Sequence, residues 1–300
     1  MNRRDFIKSA VIAGAALSVP PVIEPIITRV FGAAQPDLII ARGAPPAKIT
    51  RAAIDGLGGI KRFIGRGDVV VVKPNIGWDR TPEYAANTNP EVVAAVIRLC
   101  FEAGAGKVKV FDNTVNDARR TYKQSGIADA AKSAGALVSF IDDRKFKDMR
   151  INGLVLKSWP LYTDVFEADK VINIPIAKTH GIAGLTLGMK NWMGIMGGWR
   201  GRIHQRIDES LVDLAMTVKP VLTILDAVRI LTDNGPSGGD LKDVKILNTV
   251  VAGVDPVAVD AFGTTLFGMK PADLGSVRIG HQLRLGSMDL GKLSIQRIRV

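Results

Sequence analysis

Short β-branched runs alternate with amphipathic helical stretches along most of this chain, the pattern of an α/β protein with a mostly parallel sheet and helices on both faces. The clearest run is Val69-Val70-Val71-Val72. Four consecutive β-branched residues without polar alternation call for burial on both sides, as in a central parallel strand. Further strands are predicted at 37–41, 107–111, 136–141, 170–176, 221–225, 244–252 and 293–300. Helices are predicted at 46–64, 90–104, 126–133, 210–218, 256–266 and 276–285. Asn89-Pro90 and Asp255-Pro256 each put a capping side chain ahead of a proline at the first helical turn. Two stretches break the rhythm. Over 149–159, Asn152-Gly153 between alternating runs predicts a β-hairpin insertion. Over 177–206, glycines at 181, 184, 188, 194, 197, 198 and 201 surround Trp192 and Trp199, which reads as a functional loop region. No internal repeat, low-complexity tract or linker interrupts the chain.

Ahead of the first strand, Asn2-Arg3-Arg4-Asp5-Phe6-Ile7-Lys8 leads into a weakly apolar Ala/Gly-rich run, 9–19. This resembles a twin-arginine export signal, departing from it only at Asn2, where Ser or Thr is usual. The apolar run is far shorter than the roughly 20 residues that span a bilayer. Gly32-Ala33-Ala34 offers small residues for cleavage. The expected organisation is therefore a signal segment, 1–34, and a single α/β domain, 35–300. The protein is expected to be exported already folded to the periplasm or an equivalent extracytoplasmic compartment, with the twin-arginine machinery as a partner.

The formal charge is +11, and the first 34 residues contribute only four of the cations against two acids, so the body is basic in its own right. A basic balance suits nucleic acid, an anionic membrane or an acidic small molecule. No Lys/Arg run with interleaved aromatics and no zinc-finger spacing is present, so nucleic acid is not expected. The one cysteine, Cys100, lies within an apolar helical stretch and reads as core filler. With one cysteine there is no intramolecular disulfide, and no iron–sulfur cluster can be ligated by this chain alone.

In an open parallel sheet, ligands bind beyond the carboxyl ends of the strands. Here those ends read Lys73-Pro74-Asn75, Asp112-Asn113, Lys178-Thr179-His180 and Asp226. Asn75 and Asn113 could equally close turns, and Asp226 could equally cap a helix. Lys73, after four buried valines, must reach a cleft or a partner. Lys178 and His180 open the glycine-rich region, and Lys190-Asn191 follows within it. Asp260, among small apolar residues, must be paired or sit at a cleft wall. The three histidines are too far apart in sequence for a histidine-rich metal site, which leaves the metal unknown and a carboxylate cation site at Asp112 and Asp226 open. Walker and Gly-x-Ser-x-Gly motifs are absent.

Taken together, VVVVKPNIGW, TNPEVVAAVIRL, GAGKVKVFDN, VINIPIAKTHGIAGLTLGMKNWMG and GVDPVAVDAFG resemble the uncharacterised domain-of-unknown-function family 362, over most of the chain beyond the signal. The family's recurrent polar positions fall on Lys73, Asn75, Asp112, Asn113, Lys178, His180, Lys190, Asn191 and Asp260. Some members carry ferredoxin-like segments; without cysteine clusters, an electron-transfer role here would require a separate redox partner. The family is distantly similar to the catalytic domain of lactate-racemase-type proteins, but this chain lacks the multiple histidines of such a racemase.

The expectation is an enzyme of unknown reaction acting on a small anionic molecule, carboxylate or phosphate, in a lysine-lined cleft. His180, Asp112 and Lys178 are the catalytic candidates. Lys73, Asn75, Asn113, Lys190, Asn191 and Asp260 are the ligand-binding candidates, with Trp192 or Trp199 excluding water. The alternative is a non-catalytic periplasmic binding protein or a redox accessory, its cofactor unknown.

Overall fold

The valine run forms the centre of the sheet because nothing along it can face water. In a computed structural model, which describes residues 35–300, β2 (Val69–Pro74) lies between β3 (Lys107–Val110) and β7 (Lys170–Ile174), parallel to both. The twin-arginine-like segment, 1–34, lies outside the described residues. Val70 and Val72 face one core and Val71 the other, all three fully buried. Each buried valine contributes roughly 1.5–3 kcal/mol.

The remaining strands are β1 (Leu38–Arg42), β4 (Leu137–Val138), β5 (Phe146–Arg150), β6 (Ser158–Tyr162), β8 (Ile176–His180), β9 (Gly184–Thr186), β10 (Leu222–Leu231), β11 (Val244–Gly253) and β12 (Ile295–Arg299). The main path of the sheet is β12-β1-β11-β10-β7-β2-β3-β4, along which β11 runs against its neighbours; β8 pairs parallel to β10, and β9 pairs antiparallel to β8. Helices α1 (Pro46–Gly56), α2 (Pro90–Glu102), α3 (Ala118–Gln124) and α4 (Ile127–Ser133) cover one face. The other carries α5 (Ile207–Val218), α6 (Pro256–Thr265) and α7 (Gly275–Gln282). The fold is thus mixed α/β with a mostly parallel sheet between helical layers.

The caps form as their sequences require. Asn89 accepts from the Glu91 N–H at 2.8 Å, and Asp255 accepts from Val257 and Ala258 at 2.8 and 2.9 Å. Cys100 is buried in α2, and burial pushes its thiol up to about 12.

Several boundaries differ from the pattern. The helix expected to reach residue 64 stops at Gly56, because Gly58 and Gly59 adopt positive φ of 97° and 82°. Strand 136–141 shrinks to β4, an edge strand with one neighbour. The strand expected over 221–225 continues to Leu231, so Asp226 lies inside β10 and caps no helix. Strands β5 and β6 pair antiparallel from Phe146↔Tyr162 to Arg150↔Ser158, joined by a loop, 151–157, longer than a two-residue turn. That loop is anchored by the Asp213 carboxylate, which accepts the N–H groups of Leu154, Val155 and Leu156 at 2.6, 2.9 and 2.9 Å.

The winding positions the site. From β2 the chain steps outward to β3 and β4, then returns to the other flank of β2 as β7 and moves on to β10. The direction of winding reverses between β2 and β7. At such a switch the strand ends open a crevice, here roofed by the β8–β9 arm and the glycine-rich segment.

Candidate functional site

A cavity of about 480 Å³ opens at this crevice, within the size range of small-molecule sites. Its wall includes Asn75, Asp112, Asn113, Lys178, His180, Lys190 and Asn191. The ends of β2, β3 and β8 and the first turn of the 3-10 segment Lys190–Ile195 therefore converge. Trp78, Val115, Ile182 and Met193 supply apolar wall.

The wall carboxylate Asp112 is paired from beneath with a buried lysine. Lys73 Nζ, fully buried, stands 2.7 Å from Asp112 Oδ1 and donates to the Pro74 carbonyl at 2.8 Å. The other carboxylate oxygen accepts from the Ile76 N–H at 2.6 Å. Burial pulls the Lys73 ammonium down and Asp112 opposes that pull. Gly194 packs directly against the pair, since a Cβ there would overlap both Asp112 Oδ1 and Lys73 Nζ. Lys73 thus serves as the counter-ion of Asp112 under the floor, where the sequence led us to expect a ligand-binding lysine in the cleft.

A chain of amides, Asn173 and Asn191 buried and Asn75 half-buried, crosses the site. Asn191 Nδ2 donates to the Lys73 carbonyl at 3.0 Å and to Asn173 Oδ1 at 2.8 Å, leaving its oxygen to accept from Asn75 Nδ2 at 3.2 Å. Asn75 Oδ1 is thereby turned toward Lys178, whose Nζ donates to it at 3.1 Å and to the Ala86 carbonyl at 2.5 Å. Asn173 Nδ2 donates to the Gly188 carbonyl at 2.9 Å, tying β7 to the glycine-rich loop. Asn113 is similarly structural in part, donating to the Met196 carbonyl at 2.8 Å.

Three basic side chains, Lys178, Lys190 and Arg200, face this space. Lys178 is buried without a carboxylate partner among the described residues, and burial, reinforced by Lys190, holds its ammonium well below the ordinary range. Burial and the nearby Arg200 bring Lys190 down to about 8; among the described residues, the hydrogen-bond partner of its Nζ is Met193 Sδ, at 3.2 Å. Arg200 donates to three backbone carbonyls, those of Asn113 at 2.6 Å, Thr114 at 2.8 Å and Met193 at 3.1 Å. Carbonyl dipoles orient the guanidinium without cancelling its charge. Asp112 is the one carboxylate in the wall, and Lys73 already balances it.

His180 Nδ1 accepts the Ile182 and Ala183 N–H groups, both at 3.2 Å, which leaves the ring proton on Nε2. Its ring stacks on His204 with centroids 5.7 Å apart. Burial, then Lys190, His204 and Lys178, pull its pKa to about 3. A neutral donor at ordinary pH is what this environment makes of His180, rather than the proton carrier expected.

Three other expectations are corrected. Asp260 is not in the cavity wall; it lies under the loop and accepts from Gly188 and Met189 N–H at 2.6 and 2.9 Å, with burial raising its pKa to about 7. Asp226 accepts from Asn89 and Val228 N–H at 2.7 and 2.9 Å, and burial raises it to about 6. It shares no cation site with Asp112, and among the described residues no three His, Cys, Asp or Glu side chains converge as metal ligands. Trp192 is core and Trp199 is 77% exposed, so the tryptophan in the wall is Trp78.

Sequence reasoning passed over Arg200, His204, Trp78 and Asn173. Asn173 did carry a signal, an amide inside the apolar run Val171-Ile172-Asn173-Ile174, and Arg200 sits between Gly198 and Gly201.

The fold and site define an α/β protein with a basic cavity at the switch point of a mostly parallel sheet. Residues 70–265 match the family described as Domain of unknown function (DUF362). The thylakoid-associated protein sll1697 of Synechocystis sp. is 32% identical over 246 residues, covering 78% of this chain and 74% of that one. The chain belongs to the DUF362 family. Among solved structures, a Thermotoga maritima protein shares 11% identity at TM-score 0.45, over 80% of this chain and 60% of that one. The lactate racemase apoprotein of Thermoanaerobacterium thermosaccharolyticum shares 13% identity at TM-score 0.48, over 76% and 56%.

Proposed function

We propose that this DUF362 protein is an exported enzyme acting on a small organic anion, carboxylate or phosphate, bound in the cavity at the β2/β7 switch. One observation carries the reading: the charges of Lys190 and Arg200 face one cavity in which, among the described residues, the one wall carboxylate is already balanced by Lys73. Uncompensated cations in a low-dielectric wall are costly unless an anion completes them. Lys190 and Arg200 hold the anion, the His180 Nε2–H adds a neutral donor, and Trp78, Val115 and Ile182 flank the ligand's body. Lys190, brought down to about 8, is the group suited to moving protons, and burial holds Lys178 well below its ordinary value as well.

Export in the folded state is part of the proposal, supported by the twin-arginine-like residues Asn2 to Lys8 and by a body with a single buried cysteine. Calorimetric titration of the protein with oxalate and phosphate tests the site. Lys190→Ala and Arg200→Ala should each weaken binding at least tenfold with unchanged circular dichroism, and unaltered affinity in both would overturn the reading. Analysis of recovered ligand then separates an enzyme from a binding protein, which would return it chemically unchanged.

A further inference from the structure

The two enclosed lysines have different hydrogen-bond partners, and the difference bears on their chemistry. Lys73 Nζ has three oxygen neighbours: Asp112 Oδ1 at 2.7 Å, the Pro74 carbonyl at 2.8 Å and Asn191 Oδ1 at 3.5 Å. That set matches the three N–H groups and positive charge of an ammonium. Lys178 Nζ has two, the Ala86 carbonyl at 2.5 Å and Asn75 Oδ1 at 3.1 Å, and neither is a carboxylate. That set matches a neutral amine, whose two N–H groups are both used and whose lone pair is left over.

The match does not depend on an arbitrary amide orientation. Asn191 donates to the Lys73 carbonyl, so its oxygen must face Asn75, and Asn75 must then offer its own oxygen to Lys178. A third N–H on Lys178 would find no protein acceptor among the described residues. Its charge would also add to that of Lys190, with Asp112 committed to Lys73. Elsewhere, a lysine made nucleophilic by apolar burial and a neighbouring cation is how amines are activated toward carbonyl groups.

We propose that Lys178 is a nucleophile that forms a Schiff base with a small 2-oxo acid, whose carboxylate is held by Lys190 and Arg200. The proposal deepens the anion-binding reading of the same cavity and rests on it. The Nζ lone pair attacks the carbonyl carbon, the C–N bond forms, and the carbonyl π pair moves to oxygen. Nitrogen passes one proton to that oxygen, giving a carbinolamine. The Lys190 ammonium then protonates the hydroxyl, the C–O bond breaks, water leaves, and the nitrogen pair closes a protonated C=N bond. Amine, carbonyl and one proton thus become iminium and water, without oxidant or reductant.

The test is reductive trapping of the full-length protein with pyruvate and cyanoborohydride at pH 7, followed by peptide mapping. Pyruvate is chosen because a ketone is captured poorly by ordinary protonated lysines. The expected result is a carboxyethyl adduct concentrated on Lys178, at least tenfold above any other lysine. Lys178→Arg should remove it, and Lys190→Ala should slow it. Since the map of the wild-type protein locates the adduct, the test survives a variant that fails to fold. Adducts spread evenly over the lysines, an adduct on Lys190, or none at all overturn the proposal. Oxalate, an anion of similar size that cannot form the adduct, separates the two levels. If oxalate binds but no adduct forms, the nucleophile is wrong and the anion site stands; if oxalate does not bind either, both fall.

Discussion

Anion binding should draw protons onto Lys190, and the amount follows from its surroundings. Burial and the Arg200 charge hold Lys190 at about 8, against an ordinary 10.5. A dianion placed between the two cations supplies the counter-charge that burial removed, and so returns Lys190 toward its ordinary value. At pH 9 the free side chain is about one-tenth protonated and the complexed one almost fully so, an uptake of about 0.9 proton per anion. At pH 7 the free side chain is already about nine-tenths protonated, and uptake falls to about 0.1. Since binding raises the pKa, affinity is greatest below about pH 8 and falls above it by nearly tenfold per unit, about 1.4 kcal/mol. Calorimetry with oxalate, which stays fully ionised across this range, reads the proton number from the slope of observed enthalpy against buffer ionisation enthalpy. Lys190→Arg keeps the charge but cannot titrate, so it should bind and lose this uptake; what survives belongs to Lys178. An uptake below about 0.2 proton at pH 9 with binding intact, or an unchanged value in Lys190→Arg, would refute the reasoning.

The ion pair under the floor makes a stability prediction. Lys73→Met strands the Asp112 carboxylate and should cost about 3–5 kcal/mol, lowering Tm by roughly 6–20 °C. Adding Asp112→Asn should restore at least half, and a single-variant loss below about 1 kcal/mol in urea denaturation would count against the pairing. A second concerns pH. Asp260, raised to about 7, holds in the folded state a proton that the unfolded chain releases near 3.8, so its contribution is complete below that pH and is lost as pH rises through about 7. Between pH 5 and 7 the wild-type protein should therefore lose stability relative to Asp260→Asn by up to about 1.4 kcal/mol per unit. A difference that is flat or of opposite slope would show that Asp260 enters the fold already ionised.

Much of the framework was legible because it rests on local rules. The valines of β2 admit only a strand buried on both faces, and Asn89-Pro90 and Asp255-Pro256 mark helix starts wherever they occur. The strand-end rule also gathered Asn75, Asp112, Lys178 and His180, because parallel strands present their carboxyl ends on one side of the sheet. It could not say which of these residues would be used up beneath the surface. Lys73 was misplaced because its partner lies 39 positions away, just beyond the end of β3, and Asp260 because the backbone it holds is 71 and 72 positions away. Arg200 was missed because a single cation between glycines has no periodicity, and only the folded loop points it at the strand ends.

Composition and pattern by themselves determined an α/β protein with a mostly parallel sheet, a basic body, one core cysteine and polar residues concentrated at the strand ends. Such features depend on residue type and near neighbours. The tertiary structure alone decided that Asp112 is neutralised from below, that Lys178 meets two neutral acceptors, and that Lys190 and Arg200 are left facing a cavity. Charge balance depends on which groups meet across the fold, and for buried groups the cost of leaving water makes each pairing decisive.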